Sequence, residues 1–111
     1  MTTTAPWPPP PDLESIQDLV RAADPEGHIA DGAPTDEYEP EEEQILDAIQ
    51  HLPTDELTVP NLLPILEVIW RNSFNYNDVE LTERRPALEA LAQQITRFFG
   101  PEAAPQVRQQ A

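Results

Sequence analysis

The chain has 111 residues, a formal net charge of −15, arginine as its only basic residue type apart from two histidines, and no cysteine. That length allows one domain, and the missing thiols exclude disulfides, cysteine-ligated zinc and thiol nucleophiles while fitting a reducing cytosol. A negative field of this size opposes direct binding to nucleic acid or anionic membranes and attracts basic proteins or cations.

Residues 1–11, MTTTAPWPPPP, predict an extended Pro-rich arm. It is either a ligand for an aromatic-lined groove or a tail whose Trp7 docks on its own domain. The arm lacks the basic and apolar regions of a secretory signal, and no apolar run reaches the ~20 residues that span a bilayer. The expectation is a cytosolic protein.

Asp12 offers an N-cap, and Leu13, Ile16, Leu19 and Val20 follow at helical spacing, which predicts a first helix over 12–23. DPEGHIADGAP, 24–34, reads as a loop from Pro25, Gly27, Gly32 and Pro34. A second helix is predicted from Pro40 to about His51, with Ile45, Ile49 and Leu52 as its buried stripe and Tyr38 extending that face. PTDELTVP, 53–60, predicts a turn with one short helical turn.

NLLPILEVIWRN, 61–72, predicts the central and most buried helix, capped by Asn61, with Pro64 in its first turn. SFNYNDVEL, 73–81, reads as a connector whose Phe74, Tyr76 and Val79 fold back on the core. The last helix is predicted to start at Thr82 and to bury Leu88, Leu91, Ala92, Ile95, Phe98 and Phe99 before Gly100 and Pro101 stop it. Residues 101–111 form a polar tail. The expected architecture is an all-α compact bundle of about four helices: an arm over 1–11, one domain over 12–100 and a tail over 101–111.

The charge is unevenly placed. From Asp12 to Glu56 there are fifteen acids and one base, Arg21, whereas Leu57 to Ala111 holds six acids and five arginines. Some of this acid suits a helix start, where Glu41 and Glu42 meet unpaired N–H groups. Glu39, Glu43 and Asp47 are different, because like charges four residues apart repel by a few tenths of a kcal/mol per pair. Arg84 and Arg85, at the unfavourable end of the last helix, are expected to pair with acids of the second helix.

Chemistry is sparse. Ser15 and Ser73 lie in no nucleophile motif, three glycines form no phosphate loop, and His28 and His51 have no paired ligand spacing. No cofactor and no enzymatic activity are expected. The most specific local signal, Asp36-Glu37-Tyr38, has two readings. In one, Tyr38 packs on the second helix and bonds through its hydroxyl while Asp24 braces the turn at Pro25 to Gly27. In the other, Tyr38 is an aromatic anchor ringed by Asp36, Glu37, Glu39, Glu42, Glu43 and Asp47 on a face that docks a basic protein. Two further alternatives are a divalent-cation site of Asp24, His28, Asp36 and Glu37 with hydrolytic activity, and a structural or assembly domain whose acidity serves solubility alone.

DPEGHIADGAPTDEYEPE, 24–41, resembles a family of small bacterial helical proteins of unknown function that carry a DP-x-G element and then a GAP-x-DEYDPE-like element. Asp24, Pro25, Gly27, Gly32, Pro34 and Pro40 are the structural positions of that pattern, and RFFG, 97–100, resembles its closing aromatic–Gly pair. Glu26 stands where the family usually has an apolar residue, and Glu39 replaces an aspartate. The resemblance implies a small helical domain. By analogy only, such proteins are similar to the acidic immunity proteins that inhibit toxins.

Overall fold

The structure, a computed structural model, describes residues 11–100. The Pro-rich arm and the polar tail expected from the sequence lie outside the described residues, apart from Pro11. Four α-helices make up the domain: α1 (Leu13–Ala23), α2 (Glu39–Ile49), α3 (Val59–Phe74) and α4 (Asp78–Phe99). Short 3-10 turns at Thr35–Tyr38 and Thr54–Glu56 lead into α2 and α3. Each helix packs on two others, α1 on α2, α2 on α3, α3 on α4 and α4 back on α1, so the fold is an all-α four-helix bundle.

Local chemistry sets the helix ends. The Asp12 carboxylate accepts the Ser15 N–H at 3.0 Å, satisfying a donor that the first turn leaves free. Asp24 closes α1 in the left-handed conformation, φ 45°, with its N–H on the Val20 carbonyl. Glu39, Glu41 and Glu42 crowd the first turn of α2 with Pro40 beside them. At α4, Asn77 accepts the Glu80 N–H at 2.8 Å while Glu80 accepts the Asn77 N–H at 3.1 Å, a reciprocal capping box.

Several sequence expectations are corrected. The last helix begins at Asp78, with Asn77 as its cap, and Thr82 lies inside it with its hydroxyl on the Asp78 carbonyl. The connector therefore shrinks to Asn75–Asn77, because Asn77-x-x-Glu80 supplies a better start than Thr82 does. Val79 does not fold back: it is 67% exposed. Thr58 rather than Asn61 occupies the N-cap position of α3, and Pro64 sits inside that helix. Val68, within the stretch expected to be the most buried helix, is 58% exposed.

The core takes Ile16 and Val20 from α1, Ile45 and Ile49 from α2, Leu62, Leu66, Ile69 and Trp70 from α3, and Leu88, Leu91, Ala92, Ile95 and Phe99 from α4. Tyr38 and Leu57, from the two links, complete it. These side chains recur at three and four residues, so each helix turns one stripe inward. Gly100 is needed where α4 meets the α2–α3 link. A Cβ there would lie 2.3 Å from the Leu57 carbonyl oxygen and 2.8 Å from that of Thr96. Among the described residues no helix is long and apolar enough to cross a membrane.

Candidate functional site

The loop from Asp24 to Pro34 carries the densest polar network among the described residues. Asp24 is its first staple: its carboxylate accepts the Ile29 N–H at 3.1 Å and the Ala30 N–H at 2.9 Å. Its main-chain oxygen accepts the Gly27 N–H at 2.9 Å. Gly27 and Gly32 have φ values of 71° and 101°, a region that costs residues with a Cβ, so the turn chemistry selects glycine at both points.

Tyr38 ties the loop to the core. Its hydroxyl donates to Asp24 Oδ1 at 2.6 Å and accepts the Glu26 N–H at 2.9 Å. Burial pushes the Asp24 carboxyl upward, but the Tyr38 hydroxyl and the Ala30 and Ile29 amides outweigh it and hold the group below its ordinary range. Burial raises the Tyr38 phenol well above its usual value, and the bond to the Asp24 carboxylate adds to that.

Glu26 is the second staple, a role that sequence reasoning missed. Its side chain is 5% exposed and lies 2.9 Å from the Nε of Arg84 on α4. It accepts the Trp70 indole N–H at 3.0 Å and the Tyr76 hydroxyl at 2.5 Å. Arg84 also donates to the Pro25 carbonyl at 3.3 Å. One carboxylate thus gathers α3, the α3–α4 connector and α4 onto the loop. Burial raises the Tyr76 phenol, helped by the Glu26 carboxylate, while for Arg84 the opposing effect of burial is overcome by Tyr76 and Glu26. The one signal in the sequence was that buried Trp and Tyr seek polar partners.

An aromatic array runs beneath the loop. The His28 ring stacks on Tyr38 at 5.6 Å and meets the edge of Phe74 at 6.0 Å; Tyr38 lies 6.5 Å from Trp70, Trp70 5.9 Å from Phe74, and Phe74 5.6 Å from Tyr76. Offset and edge contacts at such separations each stabilise by roughly 0.5–1.5 kcal/mol.

The proposed docking residues divide. Tyr38 is fully buried, so it is no exposed anchor: the loop's own carboxylate and amide use its hydroxyl, and the core uses its ring. Glu42 is also fully buried, with Arg21 donating to both of its oxygens at 3.2 and 3.3 Å. Even so, burial keeps its carboxyl raised. Glu37, Glu39, Glu43 and Asp47 are exposed, while the Asp36 side chain lies outside the described residues. Glu41 is 6% exposed and its carboxyl is raised by burial, with the Ser73 hydroxyl as a hydrogen-bond partner.

Arg84 and Arg85 do not reach α2 as expected from sequence. Arg84 pairs with Glu26, and Arg85 with Glu67 on α3 at 3.0 Å, because α4 lies alongside α3 at that point. The alternative cation site is not assembled either. Asp24 spends its oxygens on the loop's donors, His28 Nδ1 stands 3.9 Å from Glu37 Oε1, and no group of three or more His, Cys, Asp or Glu among the described residues could hold a metal ion.

The fold and this network define a small helical-bundle domain with internal salt bridges and an aromatic cluster, its long loop stapled by two carboxylates. No protein family, no curated protein and no solved structure matches the chain.

Proposed function

We propose that this protein acts by binding rather than by catalysis, as a small cytosolic module whose α2 face engages a positively charged protein. One observation supports the reading above others. Glu39, Glu43 and Asp47 stand exposed at successive four-residue intervals, and among the described residues none of them pairs with an arginine. Four of the six arginines are instead held by Glu42, Asp78, Glu26 and Glu67.

The row costs a few tenths of a kcal/mol per neighbouring pair in repulsion. A negative row of this kind speeds encounter with a basic surface and makes the affinity depend on salt. The resemblance of residues 24–41 to the bacterial DP-x-G family belongs to the same proposal. In this reading its signature residues build the stapled loop, and the inhibitor-like role falls to α2.

The test is capture by immobilised protein at roughly 50 and 300 mM salt, a range over which exposed charges become strongly screened. The expected result is a basic protein retained at low salt, shed at high salt and not retained by E39Q/E43Q/D47Q. Identical retention by the parent chain and the triple variant overturns the reading and leaves the acidity to solubility.

A further inference from the structure

The two ends of α4 are held in different ways. From Leu88 to Phe99 the helix buries Leu88, Leu91, Ala92, Ile95, Thr96 and Phe99. From Asp78 to Ala87 it buries Leu81 alone. What fastens that first stretch is charge. Asp78 pairs with Arg71 at 2.8 Å, Arg84 with Glu26 at 2.9 Å, and Arg85 with Glu67 at 3.0 Å.

Pro86 lies at the boundary between the two stretches. It has no N–H to give the Thr82 carbonyl, and its ring crowds that carbonyl, so the ladder is interrupted there and the helix bends most readily at that point. The capping box at Asn77 keeps the first stretch helical on its own account.

We propose that residues 78–85 form a hinged arm that opens about Pro86 as a unit, with ion pairs as its latch, while the body of α4 stays packed. Opening frees Glu26 from Arg84 and uncovers Leu81, while Trp70 of α3 and Tyr76 of the connector keep their bonds to Glu26. The latch is graded by exposure. Asp78 and Arg71 are 88% and 47% exposed and Arg85 is 48% exposed, so salt screens those two pairs; Glu26, at 5%, keeps the third. Salt has the opposite effect on the rest of the molecule, because it screens the mutual repulsion of a chain with net charge −15.

Amide hydrogen exchange of the full chain, followed by NMR at ~0.02 and ~0.5 M sodium chloride, separates these effects. Protection of the amides of residues 87–89, which bond to the carbonyls of residues 83–85 across the hinge, is expected to fall about tenfold with salt, the sum of two weakened surface pairs, while the amides of residues 95–99 hold steady or gain protection. R71Q/R85Q at low salt reproduces the high-salt pattern at the hinge. P86A, which restores the missing N–H, brings protection of the hinge amides up toward that of the body. Hinge and body amides exchanging in step at both salt concentrations, or hinge amides in P86A as unprotected as before, overturns the proposal.

Discussion

Asp24 and Tyr38, fourteen residues apart in sequence, are joined by a 2.6 Å hydrogen bond from phenol to carboxylate. The bond closes the loop over the aromatic array and leaves the Asp24 carboxylate accepting from three donors, the Ile29 and Ala30 amides and the Tyr38 hydroxyl. Tyr38→Phe keeps the ring but removes a donor from Asp24 and an acceptor from the Glu26 N–H. Leaving such groups unmet costs roughly 1–3 kcal/mol. Urea unfolding is expected to show a lower midpoint with an unchanged slope.

Arg84→Met leaves the Glu26 carboxylate buried with Trp70 and Tyr76 as its remaining donors. Removing one partner of a buried pair costs about 3–5 kcal/mol, and the third of Arg84 that meets solvent reduces this to ~2 kcal/mol. The emission of Trp70, whose indole N–H touches the same carboxylate, is expected to shift in step with the lost stability.

Glu41 and Asp24 pull the pH dependence in opposite directions. A carboxyl whose folded value is raised binds its proton more readily in the folded state. Glu41 therefore weakens the fold as pH rises from its unfolded value of about 4.3 through its raised folded value. Glu41→Gln is expected to stabilise at pH 7, with the gain vanishing as pH falls below ~4.3. Asp24, held low, contributes stability above its unfolded value of about 3.9 that is lost as pH falls through its folded value, so Asp24→Asn flattens the acid limb. Thermal unfolding between pH 3 and 8 reads both.

The start of α4 gives a sharp comparison. Asn77→Ala removes the side chain that accepts the Glu80 N–H and is expected to cost about 1 kcal/mol. Thr82→Ala, at the position that sequence alone favours as the cap, removes only a bond back to the Asp78 carbonyl and stays within ~0.5 kcal/mol. Equal losses for the two variants, measured by urea unfolding, contradict the Asn77 start.

Gly100→Ala places a methyl group against two main-chain oxygens, of Leu57 and Thr96, neither of which can swing aside as a side-chain tip does. Its φ of −90° is open to any residue, so the cost is steric rather than conformational. A loss of about 1–3 kcal/mol is expected, seen as a drop in melting temperature.

Helix content, the loop at 24–34 and the acid bias of the first half were legible in the sequence, because each rests on neighbours within four residues. Ile16 and Val20, Ile45 and Ile49, and Leu91 and Ile95 each recur at four-residue spacing, and every one of them is buried as that spacing predicts. Gly27 and Gly32 marked a loop, and the backbone there takes positive φ at both. The boundary of α4 was legible too, in Asn77-x-x-Glu80, but Thr82 offered a competing cap and a polar connector concealed the better one.

Which acids are surface and which are staples was decided only in three dimensions. Glu42 finds Arg21 across 21 positions, and Glu26 finds Trp70 and Tyr76 across 44 and 50. Glu39, Glu43 and Asp47 read much like Glu42 along the chain, yet they face solvent because α2 turns only one stripe toward α1 and α3. Periodicity fixes which residues share a face of one helix. Packing fixes what that face meets, and a buried carboxylate persists only where folding delivers donors from distant segments to satisfy it.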